Sequence, residues 1–153
     1  MWANNETGVR FPVDRIAEIC RSRGVLYHCD AVQAAGKVEI DVGKIPADYL
    51  SLTGHKFHAP KGIGALYVRC KAPFSSLIYG GHQERNRRGG TKNIPVIVNL
   101  GKAVKLSRKH LTGYELKTPP LWDGLEEPCT QPPSEIEVLA VVLLTWMMQT
   151  MCI

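Results

Sequence analysis

The 153-residue chain has few of the features that would assign it to a disulfide-bonded, metal-binding or membrane class. Its five cysteines, Cys20, Cys29, Cys70, Cys129 and Cys152, include no C-x-x-C pair, and the count is odd. That spacing fits neither a disulfide framework nor a zinc site and points to a reducing, cytoplasmic setting. The first residues, "MWANNETG", turn polar at once and lack the apolar run of a secretory signal. There is no internal repeat. Near the C-terminus the apolar core from residue 138 to 148 is too short to span a bilayer, which takes roughly 20 residues. It reads as a strand or helix that packs against something else. Lys and Arg outnumber Asp and Glu by 19 to 14, for a net charge of +5. No nucleic-acid motif accompanies that excess, so a phosphate-bearing small molecule is the better partner.

The chain does carry alternating signals for helices and short strands. "VDRIAEICRSRG" places Val13, Ile16, Ala17, Ile19 and Cys20 at helical spacing and stops at Gly24. "VLYHCDA", "DYLSLTG" and "GALYVR" are short, apolar and bounded by Gly or Pro, as in a sheet buried on both faces. "NIPVIVNLGKAVKLSRKHL" reads as a loop and then a helix. "TPPLWDGLEEPCTQPPSE" holds five prolines in eighteen residues and argues against that helix continuing. The expected class is α/β, with a mostly parallel sheet flanked by helices.

In such sheets ligands bind beyond the carboxyl ends of the strands. Asp30 ends one strand with Gln33 three residues on, and a second strand delivers His55 and Lys56. Asn4, Asn5 and Glu6 follow a possible third strand end, "MWA". Each residue alone has an ordinary reading: a cap, a solvated amide, a core histidine, a surface lysine. Together, a carboxylate, amides and a lysine are what pyridoxal 5'-phosphate requires.

"ANNETG", "HCDAVQAAGK", "LTGHKFHAPKGIGALYVR" and "GGHQERNRRGGT" resemble the class V aminotransferases and, within them, the NifS-like cysteine desulfurases. The similarity runs from Met1 to about Leu106. It implies the large cofactor-binding domain of the fold type I enzymes over residues 1–107, a weakly similar helix or linker over 108–127 and an unmatched tail over 128–153. It implies that Lys56 bonds the cofactor covalently and that His55 contacts the phosphate or shuttles a proton. Asp30 would bind the pyridine nitrogen, Gln33 and Asn5 the phenolic oxygen, and Thr53 and His55 the phosphate. Thr91 would reach the cofactor phosphate of a second copy in a homodimer. The implied reaction removes sulfur from L-cysteine, leaving alanine and a persulfide that is passed to a sulfur-acceptor scaffold for iron–sulfur assembly. Gly90 and Lys92 depart slightly from the commoner pattern. The family's phosphate-binding turn precedes the position of Met1, and its persulfide cysteine and small domain lie beyond the matched part. The alternatives are therefore a selenocysteine lyase and a truncated, non-catalytic fragment.

Overall fold

A computed structural model describes residues 1–126, with side chains through residue 113. The elements are helix α1 (Val13–Ser22), strand β1 (His28–Asp30), strand β2 (Tyr49–Thr53), a 3-10 turn (Gly54–Phe57), strand β3 (Gly64–Val68), the single turn α2 (Gln83–Asn86) and helix α3 (Ile94–Glu126). The α/β expectation holds. The sheet order is β1-β2-β3. β1 and β2 run parallel, with Asp30 opposite Ser51, and β3 returns antiparallel, with Gly64 opposite Thr53. The carboxyl ends of β1 and β2 therefore lie on one side of the sheet.

Helix α1 forms where the sequence periodicity places it. Val13 and Ala17, four residues apart, are buried on its inner face. They join Trp2, Cys29, Ala31, Ala34, Ile45, Ala47 and Leu50 in one apolar cluster. A second cluster gathers Ala35, Phe57, Ala59 and Ala103, the last from α3. Leu50, 2 % exposed, is the largest side chain sealed in the first cluster. Full burial of such a side chain contributes about 2 kcal/mol.

Three features differ from the sequence-based expectation, and a fourth, the backbone of α2, is not addressed by it. "MWA" is not a strand end: Ala3 makes one isolated bridge to Arg10, and the Trp2 amide donates to the Asp30 carbonyl at 2.7 Å. The sheet is not buried throughout, since Gly64, Ala65 and Leu66 of β3 are exposed. β3 is an end strand of this sheet, so it is covered less than β2. The turn α2 has left-handed backbone at Glu84, Arg85 and Asn86, which apolar periodicity does not reveal. Finally, α3 does not stop before its prolines but runs to Glu126. Propagation adds to an existing helix far more easily than nucleation starts one, so a helix already formed from Ile94 can continue through Pro119 and Pro120 despite the bonds they remove.

Both clusters lie in the compact unit Met1–Tyr114; in the second unit, Glu115–Ile153, the described residues end with α3. The apolar stretch at residues 138–148, Cys129 and Cys152 lie outside the described residues. Among those described, no helix is long and apolar enough to cross a membrane.

Candidate cofactor site at the carboxyl ends of the strands

The 3-10 turn explains how "TGHKF" presents its lysine. In a 3-10 helix residues i and i+3 eclipse one another. Gly54 and Phe57 therefore share the inward face and are buried, while His55 and Lys56 are exposed. Gly54 is held against its neighbours: a Cβ there would stand 2.8 Å from Ala59 Cβ and 3.0 Å from both Ile63 and Leu100 side-chain atoms. The turn closes on His58, whose φ of 69° is left-handed and whose amide donates to the Gly54 carbonyl.

Thr53 precedes the turn. Its hydroxyl lies 3.1 Å from His55 Nδ1 and 3.4 Å from the Ile63 carbonyl. When the hydroxyl gives its one proton to Ile63, the His55 Nδ1–H donates to Thr53 and Nε2 is left facing outward.

Asp30, half-buried at the end of β1, accepts the Val32 amide on Oδ1 at 2.9 Å, while Oδ2 has no hydrogen bond among the described residues. Past it the chain makes a helical turn, with the Ala35 amide donating to Ala31 at 2.9 Å and the Val38 amide to Ala34 at 3.1 Å. Gln33 and Lys37 are four apart on this turn and therefore neighbours. The Lys37 ammonium donates to Gln33 Oε1 at 3.4 Å. Burial first, and then the charge of Lys56, hold the Lys37 ammonium below its ordinary pKa. Lys37 thus belongs to the same neighbourhood. The sequence reading missed it, although its spacing from Gln33 in "QAAGK" was the available signal.

The first segment reaches this end of β1 through the Trp2–Asp30 hydrogen bond. Asn4 Oδ1 accepts the amides of Glu6 at 2.8 Å and Thr7 at 2.9 Å, fixing a turn that leaves Asn5 exposed. Thr91 is exposed between α2 and α3, and no hydrogen bond joins it to Thr53, His55 or Lys56. The structure therefore brings Asp30, Thr53, His55 and Lys56 to one end of a parallel pair, with Gln33 following Asp30. No hydrogen bond among the described residues joins Thr91 to them.

The donor set suits an anionic aromatic ligand. It offers a free carboxylate oxygen, an amide, a hydroxyl–imidazole pair and two cations, Lys37 and Lys56. Neither lysine has a carboxylate partner among the described ion pairs. A phosphate-bearing pyridine with an aldehyde matches each of these groups in turn.

Comparison with known proteins places the chain in a family. The family model for Aminotransferase class-V matches residues 1–115. A cysteine desulfurase of Gluconacetobacter diazotrophicus is 52 % identical over 127 residues, 83 % of this chain and 32 % of that protein. The NifS-like protein from Rickettsia africae superposes with a TM-score of 0.81 at 30 % identity, over 86 % of this chain and 37 % of the other. SspA in complex with cysteine gives 0.65 at 45 % identity, over 68 % and 30 %. The chain thus spans about a third of the length of the curated relatives it matches.

Proposed function

The chain belongs to the aminotransferase class-V family, and on that premise we propose that it forms the cofactor-holding part of a pyridoxal-phosphate-dependent cysteine desulfurase. One observation carries the reading: among the described residues, Asp30 Oδ2 and the Lys56 ammonium lack protein partners at the carboxyl end of adjoining parallel strands.

The residues divide the work. Lys56, on the exposed face of the 3-10 turn, would supply the amine for the cofactor's aldehyde and would carry a proton at the reacting carbon. Thr53 Oγ1, with its proton turned from the Ile63 carbonyl, and His55, with its N–H on Nε2, would hold the phosphate. Asp30 Oδ2 would face the ring nitrogen, where an ionised carboxylate would favour its protonated form. Gln33 and Asn5 would donate amide hydrogens to the phenolic oxygen. Thr91 would serve the same phosphate in a second copy, in which case a homodimer would be the functional unit. When bound, the cofactor supplies an electron sink for the substrate's α-carbon. Sulfur leaves L-cysteine to a thiolate nucleophile, since the neutral thiol attacks poorly, and alanine remains. Cys29 is not that nucleophile: it is 1 % exposed, and burial holds its thiol above the ordinary range. The product sulfur passes to an acceptor protein for iron–sulfur assembly.

Alanine release from L-cysteine by the cofactor-loaded protein tests the reading. Release that disappears in Lys56→Ala supports it. A loaded protein that turns over selenocysteine alone would make it a selenocysteine lyase instead. A loaded protein inert to both would limit the chain to holding the cofactor.

A further inference from the structure

Lys37 has a physical problem that its surroundings do not solve. Its ammonium is half-buried and has no carboxylate within ion-pair range among the described residues, where the lysine and arginine ion pairs belong to Lys44, Arg69 and Lys92. A partly buried cation without a counter-charge is costly. Among the described residues its one side-chain polar contact is Gln33 Oε1, 3.4 Å away. The turn that carries both residues is pinned at Gly36, whose φ is +79° and where a Cβ would stand 2.7 Å from Phe57 Cβ. Phe57 is the buried end of the turn that presents Lys56. Lys37 is thus tied to the lysine turn on one side and to the Gln33 amide on the other.

An unconstrained glutamine can offer either its oxygen or its two N–H hydrogens to a ligand. An ammonium on Oε1 occupies the acceptor end and leaves the donor end free. We propose that Lys37 is a positioning residue that fixes the Gln33 amide so that Nε2, and not Oε1, is offered to the phenolic oxygen of pyridoxal phosphate. The inference rests on the cofactor reading above. The charged groups that bear on Lys37 are its own ammonium and Lys56, whose positive charge already opposes it. An anionic ligand near both would relieve both.

The test is the pH midpoint of the visible absorbance band of the protein loaded with pyridoxal phosphate. Without a fixed donor on the phenolic oxygen, the protonated, yellow form persists to higher pH. Lys37→Met and Lys37→Gln should each raise the midpoint by about one pH unit. Lys37→Arg, which retains a donor and a charge, should restore it. Gln33→Leu should raise it by a similar amount, and adding Lys37→Met to Gln33→Leu should produce little further change, because the two act as one unit. An unshifted midpoint in Lys37→Met and Lys37→Gln, or shifts that add fully in the double variant, would overturn the inference while leaving the cofactor reading standing. If the unaltered chain shows no visible band at all, the cofactor reading fails and this inference fails with it.

Discussion

The two ends of the same parallel strand pair treat polar groups in opposite ways. At the amino end, Asp48 is 5 % exposed and saturated. It accepts the Tyr27 amide at 2.8 Å and Arg69 Nε at 2.9 Å, with a further close contact to Arg69 Nη2. Its own amide donates to the Tyr27 carbonyl at 3.0 Å, and the Arg69 amide donates to its carbonyl at 2.8 Å. One residue therefore clasps the start of β1, the start of β2 and the end of β3. At the carboxyl end, among the described residues, Asp30 keeps one oxygen free and Lys56 keeps its whole ammonium free. A carboxylate whose bonds are all satisfied within the fold holds the fold together. One whose bonds are left open is available for a ligand. Residue type does not distinguish Asp48 from Asp30; partner saturation does.

That contrast breaks apart under substitution. Asp30→Asn should change the chemistry most. The amide still accepts the Val32 N–H, so folding stays within about 0.5 kcal/mol. It cannot act as an anion opposite the ring nitrogen, so alanine release by the full-length enzyme should fall on the order of a hundredfold. A normal rate would mean that Asp30 is a cap and nothing more.

Asp48→Ala should do the reverse. Removing the carboxylate strands the Tyr27 amide and part of the Arg69 guanidinium, at a cost of about 2 kcal/mol in denaturant melts. Cofactor binding per folded molecule should be unchanged. The pH dependence has the same origin. Burial pushes the Asp48 carboxyl up, but the Tyr27 amide and then Arg69 outweigh it, and the net effect is a depressed pKa. The stabilisation is therefore complete above the unfolded-state value of about 3.9 and is lost as the pH falls below it. Acid titration of Asp48→Asn should lack that component, and an identical acid limb in both proteins would separate the clasp from acid stability.

Thr53→Val should have the smallest effect and should fall on the ligand side of the contrast. It removes the hydroxyl between His55 and Ile63 at a cost to folding of no more than about 1 kcal/mol. Loss of one bond to the phosphate should weaken cofactor affinity about tenfold, or 1.4 kcal/mol. Equal affinity measured by absorbance titration would place the phosphate elsewhere.

The carboxyl end was far more legible in the sequence than the amino end. Asp30, Gln33, His55 and Lys56 sit in short contiguous motifs, and strand direction alone brings their segments to one end. The Asp48 clasp joins residues 21 positions apart on either side, and nothing local in "PADYL" or "YVRC" announces it. Lys37 carries a local signal in its spacing from Gln33, but its weight comes from burial and from Lys56, both tertiary properties. The edge exposure of β3 and the left-handed turn at Glu84–Asn86 escaped for the same reason: apolar runs report what can be buried, not what is.

Lys37 and Lys56 share one neighbourhood, and only the second stands on the exposed face of the 3-10 turn, so the central question is which lysine bonds the cofactor. Borohydride reduction of the protein loaded with pyridoxal phosphate, followed by peptide mass mapping, decides it. The account predicts a pyridoxyl group on Lys56 and none on Lys37, with no trapped adduct in Lys56→Ala. A pyridoxyl group on Lys37, or an undiminished adduct in Lys56→Ala, would contradict it.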